Sequence, residues 1–100
     1  MTYQVVITET ANDDLNDIGE YIEQSSGPLA SERFVQHVVD VIQSLDFAPD
    51  RTALRQDLRP ELHVIHADRY LVFYRIVGRQ VVVLRVIHGA RDVRTDMFSE

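Results

Sequence analysis

The sequence predicts an α+β domain, a helical hairpin packed on a mainly antiparallel sheet in the order β-α-α-β-β-β. Three observations carry that expectation. Ala11, Leu15, Ile18 and Ile22 recur at helical spacing. Ala30, Phe34, Val38, Val41, Ile42 and Leu45 do so again directly afterwards. The final third is rich in β-branched and aromatic residues on both sides of Gly78-Arg79, a pair suited to a two-residue hairpin turn. A chain of 100 residues, 45% of them apolar, supports one core, so residues 1–100 are expected to form a single domain.

The elements follow in order. Tyr3 to Thr8 reads as a first strand, because β-branched residues dominate it. Thr10 is the expected N-cap of the first helix, with Asp13 three residues on. Asn12, Asp13, Asp17 and Glu20 form its solvated face. Gly27 and Pro28 separate this helix from the second, glycine closing one and proline opening the other. The second helix is expected from Pro28 to Phe47, and Ala48-Pro49 stops it. Val35 and Val39 widen its apolar stripe, which implies burial on two sides or a partner. Residues 50–60 read as a loop with a short extended piece near Leu54.

Leu62 to Ala67, Tyr70 to Val77 and Gln80 to His88 are the remaining strands. With Gly78-Arg79 as a type II′ turn, Val77 faces Gln80 and Arg75 faces Val82. One face then carries Leu71, Phe73, Arg75, Val82, Leu84, Val86 and His88, which points His88 towards core. The other carries Tyr70, Val72, Tyr74, Ile76, Val81, Val83, Arg85 and Ile87. Both faces are largely apolar. The helix pair covers one, and the other needs a partner chain or aromatic shielding. Gly89 marks the end of the last strand and permits the turn expected after it; Gly89→Val is expected to cost stability if φ there is positive.

Composition excludes several chemistries. There is no cysteine, so disulfides and thiolate catalysis are out. The serines lie in no Gly-x-Ser-x-Gly elbow, and the four glycines make no phosphate loop. His63 and His66 point to opposite faces of a strand, and His88 with Asp92 is only two ligands, so no metal or other cofactor is expected. No apolar run is long enough to span a bilayer, and the first residues resemble no signal peptide, so no membrane association and a cytoplasmic location are expected.

Charge is uneven. Residues 1–50 hold ten acids and only Arg33, whereas residues 51–100 hold six acids and nine arginines. The net charge of −6 argues against direct DNA binding by this chain alone. The arginines remain the chemical signal. Arg69, Arg75, Arg85, Arg91 and Arg94 are interleaved with Tyr70, Phe73 and Tyr74 along the strands. Guanidinium beside aromatic rings can bind protein carboxylates, stack bases or hold a phosphate.

The same segments resemble the ParE branch of the RelE/ParE superfamily of toxin–antitoxin toxins. The carriers are Ala11-x-x-Asp14-Leu15-x-x-Ile18-x-x-Tyr21-Ile22, Pro49, Leu58-Arg59-Pro60-Glu61-Leu62, the strand Arg69 to Ile76, and Leu84 to Asp92. Glu61 departs from the glycine common in the family's turn. The resemblance implies the RelE/ParE-like fold and a bacterial growth-inhibiting toxin. It also implies a hetero-oligomer with a ParD-like antitoxin, which covers apolar grooves. Antitoxin-binding candidates are Phe34, Val35, Val38, Val39, Ile42, Tyr70, Val72 and Tyr74. The ParE branch poisons DNA gyrase, whereas the RelE branch cleaves mRNA on the ribosome. His88, Arg91, Asp92, Arg69 and Arg85 are the candidates for toxicity and target binding. Residues 94–98 contain no tyrosine, and Leu71 stands at a basic position of the RNases, so no catalytic residue is assigned and a gyrase inhibitor is favoured over an enzyme. A RelE-like endoribonuclease and a non-toxic protein-binding module are the alternatives.

Overall fold

The computed structural model describes residues 2–98. Strand β1 (Gln4–Ile7) leads into α1 (Glu9–Ser26) and α2 (Pro28–Gln43), followed by β2 (Ala53–Leu54), β3 (His63–Ala67), β4 (Tyr70–Val77) and β5 (Gln80–His88). The strands form one sheet in the order β1-β5-β4-β3-β2, antiparallel except for β1 against β5. Two helices on a mostly antiparallel sheet make the α+β architecture expected from periodicity. The short extended piece at Leu54 is β2, the edge strand beside β3.

Thr8, not Thr10, is the N-cap of α1. Its Oγ1 accepts from Ala11 N–H at 3.2 Å and donates to Val83 O at 2.8 Å. One hydroxyl thus ties the helix start to β5, which Thr10, one residue inside the helix, does not do. Gly27, at φ 93°, takes its N–H back to Glu23 O at 2.9 Å and offers its carbonyl to Ser31 N–H. The two helices approach closely at Gly19. Ser31 Oγ donates to Gly19 O at 2.6 Å, and a methyl built on Gly19 would touch Val35. The widened stripe of α2 therefore reflects two-sided burial, with Val35 against α1 and Val39 against the core.

Helix α2 ends at Gln43 rather than Phe47. Ser44–Asp46 tightens into a 3₁₀ turn that keeps Leu45 buried and leaves Phe47 exposed. Ala48 then adopts φ 47° before Pro49, and Arg51 Nη1 caps the carbonyls of Phe47 and Ala48.

The β4–β5 register begins as expected, with Val77 opposite Gln80 and Arg75 opposite Val82. A bulge then intervenes: Tyr74 pairs with Val83, but Phe73 pairs with Arg85, leaving Leu84 as the extra residue. Because side chains alternate, one inserted residue exchanges the faces of everything after it. Val86 and His88 therefore join Tyr70 and Val72 on the helix side, while Leu84 and Ile87 pack with Phe73 on the other. His88 does not share a face with Leu84. The second face, formed by Leu62, Val64, Phe73, Leu84 and Ile87, is covered by the chain itself. Phe98 is 2% exposed and sits edge-to-face on Phe73 at 4.9 Å. Aromatic shielding, worth about 2 kcal/mol of apolar burial, takes the place of a partner there.

Candidate functional site

Strand β1 stops at Ile7, opposite Val83, so the β1-side edge of β5 is without a strand partner from Leu84 to His88. An unpaired strand edge leaves backbone donors to be satisfied. Asp14 of α1 meets that need. Its carboxylate accepts from Val86 N–H at 2.9 Å and from Arg85 Nε and Nη2 at 2.8 and 3.0 Å. The two side chains are 12% and 15% exposed, and the hydrogen bond to Asp14 raises the Arg85 guanidinium further above its ordinary value.

Beyond Asp14 a groove opens between Ile18 and Tyr21 of α1 and Val86 to His88 of β5. It adjoins a cleft of about 630 Å³ lined by Tyr21, Ile22, Phe34, Asp68, Arg69, Tyr70 and His88. Tyr70, together with Tyr21 and His88, lines both. Its ring lies 5.5 Å from Phe34 and 5.0 Å from His88, the latter edge-on. Burial, with Tyr21 nearby, pushes its hydroxyl above the ordinary tyrosine value.

The rim is held by a backbone contact. Gly89 N–H donates to Arg69 O at 2.8 Å, joining the β3–β4 turn to the end of β5. Positive φ among the glycines occurs only at Gly27 and Gly78, so the condition of a positive φ at Gly89 is not met. Glycine suits the position by proximity, since a Cβ would lie 3.1 Å from the Arg69 carbonyl, a tight contact. Ala90 N–H donates to His88 Nδ1 at 3.0 Å, which places the neutral ring's proton on Nε2. The cleft thus combines an apolar floor with donors on His88, Arg69, Tyr21 and Tyr70. That is the chemistry of a peptide-docking groove.

The structure brings together some of the candidates. Arg69 and His88 share the cleft, Arg91 lines the adjoining groove, and Phe34 and Tyr70 form apolar wall. Asp92 is exposed and lines neither. Arg85 is committed to Asp14 inside the fold and is not presented to a target. Val38, Ile42, Val72 and Tyr74 are 0% exposed, so they have no surface to offer an antitoxin and act as core. Periodicity marked them as apolar, but only packing distinguishes core from groove. Tyr21, 68% exposed, and Ile22 were missed as lining residues. Their signal was present in the helical motif, where a tyrosine follows Ile18 at the edge of the apolar stripe. Asp14 was likewise in the motif, without a role. Among the described residues no three His, Asp or Glu side chains gather as a metal-ligand set, and no helix is long and apolar enough to cross a membrane.

Comparison with known proteins agrees with this geometry. Residues 5–93 match the family of the ParE toxin of type II toxin–antitoxin system, parDE. Toxin ParE3 of Caulobacter vibrioides is 24% identical over 94 residues, which is 94% of each chain. A chain of the chromosomal ParDE system from P. aeruginosa superposes with a TM-score of 0.79 at 20% identity, covering 87% of this chain and 96% of that one. A chain of the RelBE2 toxin–antitoxin complex from Mycobacterium tuberculosis does so with a TM-score of 0.64 at 27% identity, covering 88% and 99%. With a family match from β1 to just past β5, this chain belongs to the ParE toxins of type II toxin–antitoxin systems.

Proposed function

We propose that this toxin acts in the cytoplasm on DNA gyrase, without cleaving RNA, and that a ParD-like antitoxin neutralises it by laying an apolar segment in the Tyr21–Tyr70–His88 cleft. The observation that carries the gyrase reading is the hydrogen bond from Ala90 N–H to His88 Nδ1. Phosphodiester cleavage needs a positioned proton acceptor and donor as well as charge stabilisation. The Ala90 N–H on Nδ1 favours the tautomer in which Nε2 of His88 carries an N–H rather than a lone pair, which opposes a role as base. Arg85 is bound to Asp14, and residues 94–98 supply no tyrosine. Arg69 and Arg91 remain as cations that fit protein carboxylates. Antitoxin docking is supported by the apolar floor of the cleft and by the exposed Tyr21 at its edge.

Two assays on the purified toxin decide the target. Gyrase supercoiling or gyrase-dependent DNA breakage should respond to it, and translating ribosomes should show no codon-linked mRNA cleavage. Ribosome-bound mRNA cleavage that disappears in His88→Ala or Arg91→Ala, with gyrase unaffected, would move the chain to the RelE-like reading. A chain that does neither and harms no cell would be the plain binding module.

A further inference from the structure

The cover on the second sheet face hangs on an arginine shared with α1. Met97 and Val93 pack beside Phe98 on that face. Two backbone carbonyls fix the segment. Arg59 Nη1 donates to Phe98 O, and Arg85 Nη1 donates to Met97 O at 3.3 Å. Arg85 uses Nε and Nη2 on Asp14. One guanidinium therefore bridges α1, β5 and the 3₁₀ turn Thr95–Phe98. Its donors form a rigid planar fork, so they cannot be re-aimed independently.

We propose that residues 91–98 form a strap over the second apolar face, that Arg85 is its latch, and that displacing Asp14 from Arg85 loosens the strap. Asp14 is part of the groove wall, and so is Arg91 at the root of the strap. The state of the groove and the cover on Phe73, Leu84 and Ile87 are thereby coupled across the sheet. The strap is the element that yields. Its only regular element is one 3₁₀ turn, and its bond to Arg85 is long for a charge-assisted one, whereas the strands beneath are hydrogen-bonded on both sides of the Leu84 bulge. Once Asp14 no longer fixes the fork, Nη1 is no longer held on the Met97 carbonyl, and of the two carbonyl contacts only that of Arg59 remains. Because coupling is reciprocal, detaching the strap also weakens the hold of Arg85 on Asp14. This inference does not depend on the cellular target.

Backbone ¹⁵N relaxation on the full chain tests it in the wild type, Asp14→Asn and Asp14→Glu. In the wild type the amides of Met97 and Phe98 should have order parameters near ~0.85, like β5. In Asp14→Asn the Met97 amide should fall below ~0.6 and that of Phe98, still held by Arg59, should fall less, while Val81 to Val83 keep their values. Asp14→Glu, which retains the charge on a longer arm, should loosen the strap less and decides the matter if the asparagine variant does not fold. Unchanged order parameters at Met97 and Phe98, or loosening spread evenly over the sheet, would overturn the proposal.

Discussion

Asp14 and Arg85 meet 71 residues apart in sequence, the carboxylate gripping the guanidinium at 2.8 and 3.0 Å where β5 outruns β1. The pair does the work of an absent strand, because the same carboxylate also takes Val86 N–H. Removing Asp14 strands a mostly buried cation and a backbone donor together. Asp14→Ala should lower stability by about 2–4 kcal/mol, read as the shift of a urea midpoint. A loss below about 0.5 kcal/mol would show the pair to be an ordinary surface contact.

Tyr74 links the core to the chain before β2. Its hydroxyl donates to Pro49 O at 2.6 Å and lies 2.5 Å from Thr52 Oγ1. Since its single proton goes to Pro49, Thr52 must donate to Tyr74. Burial raises the Tyr74 hydroxyl above the ordinary value of 10.0. The unfolded chain releases this proton near pH 10 and the folded chain only at higher pH. The contribution is therefore complete below pH 10 and declines as pH rises beyond it. Tyr74→Phe should cost about 1–2 kcal/mol at neutral pH and flatten the alkaline decline. Denaturation curves at pH 8 and above in both proteins would show an identical decline if Tyr74 were not its source.

Glu61 occupies φ 59°, the left-handed region that suits glycine. It is exposed, and its side chain is not part of either apolar cluster. Relief of backbone strain exceeds the extra chain entropy of glycine only modestly. Glu61→Gly should therefore raise stability by about 0.5–1 kcal/mol, a gain of several degrees in thermal midpoint for a domain this size. A lower midpoint would mean that the glutamate side chain makes up for its conformation.

Tyr21 offers a test of the cleft free of folding effects, because its ring is already in solvent. Tyr21→Ala should leave the thermal midpoint within about 2 °C and weaken antitoxin binding by about 10- to 100-fold, the range of an aromatic anchor. Titration calorimetry with the cognate antitoxin gives both affinity and stoichiometry. Unchanged affinity would place the antitoxin elsewhere on the toxin.

Local chemistry was legible in the sequence. The helical spacing of Ala11, Leu15 and Ile18, the Gly27-Pro28 break and the Gly78-Arg79 turn each act within a few residues, and they set the elements and their order. The family resemblance added a toxin's identity, and the cleft residues Phe34, Tyr70, Arg69 and His88 were among the positions it marked. Tertiary structure decided which apolar residue is core and which is surface. Val38 and Tyr74 look no different from Phe34 and Tyr70 in a pattern, yet only the second pair reaches the cleft. It also decided the face of His88, because a bulge at Leu84 leaves no mark in an unbroken run of strand-forming residues. The cap at Thr8, the close approach at Gly89 and the Asp14–Arg85 pair depend on chain segments that folding alone brings together. Periodicity reports only a residue's immediate neighbours, and contacts over such separations are fixed by packing.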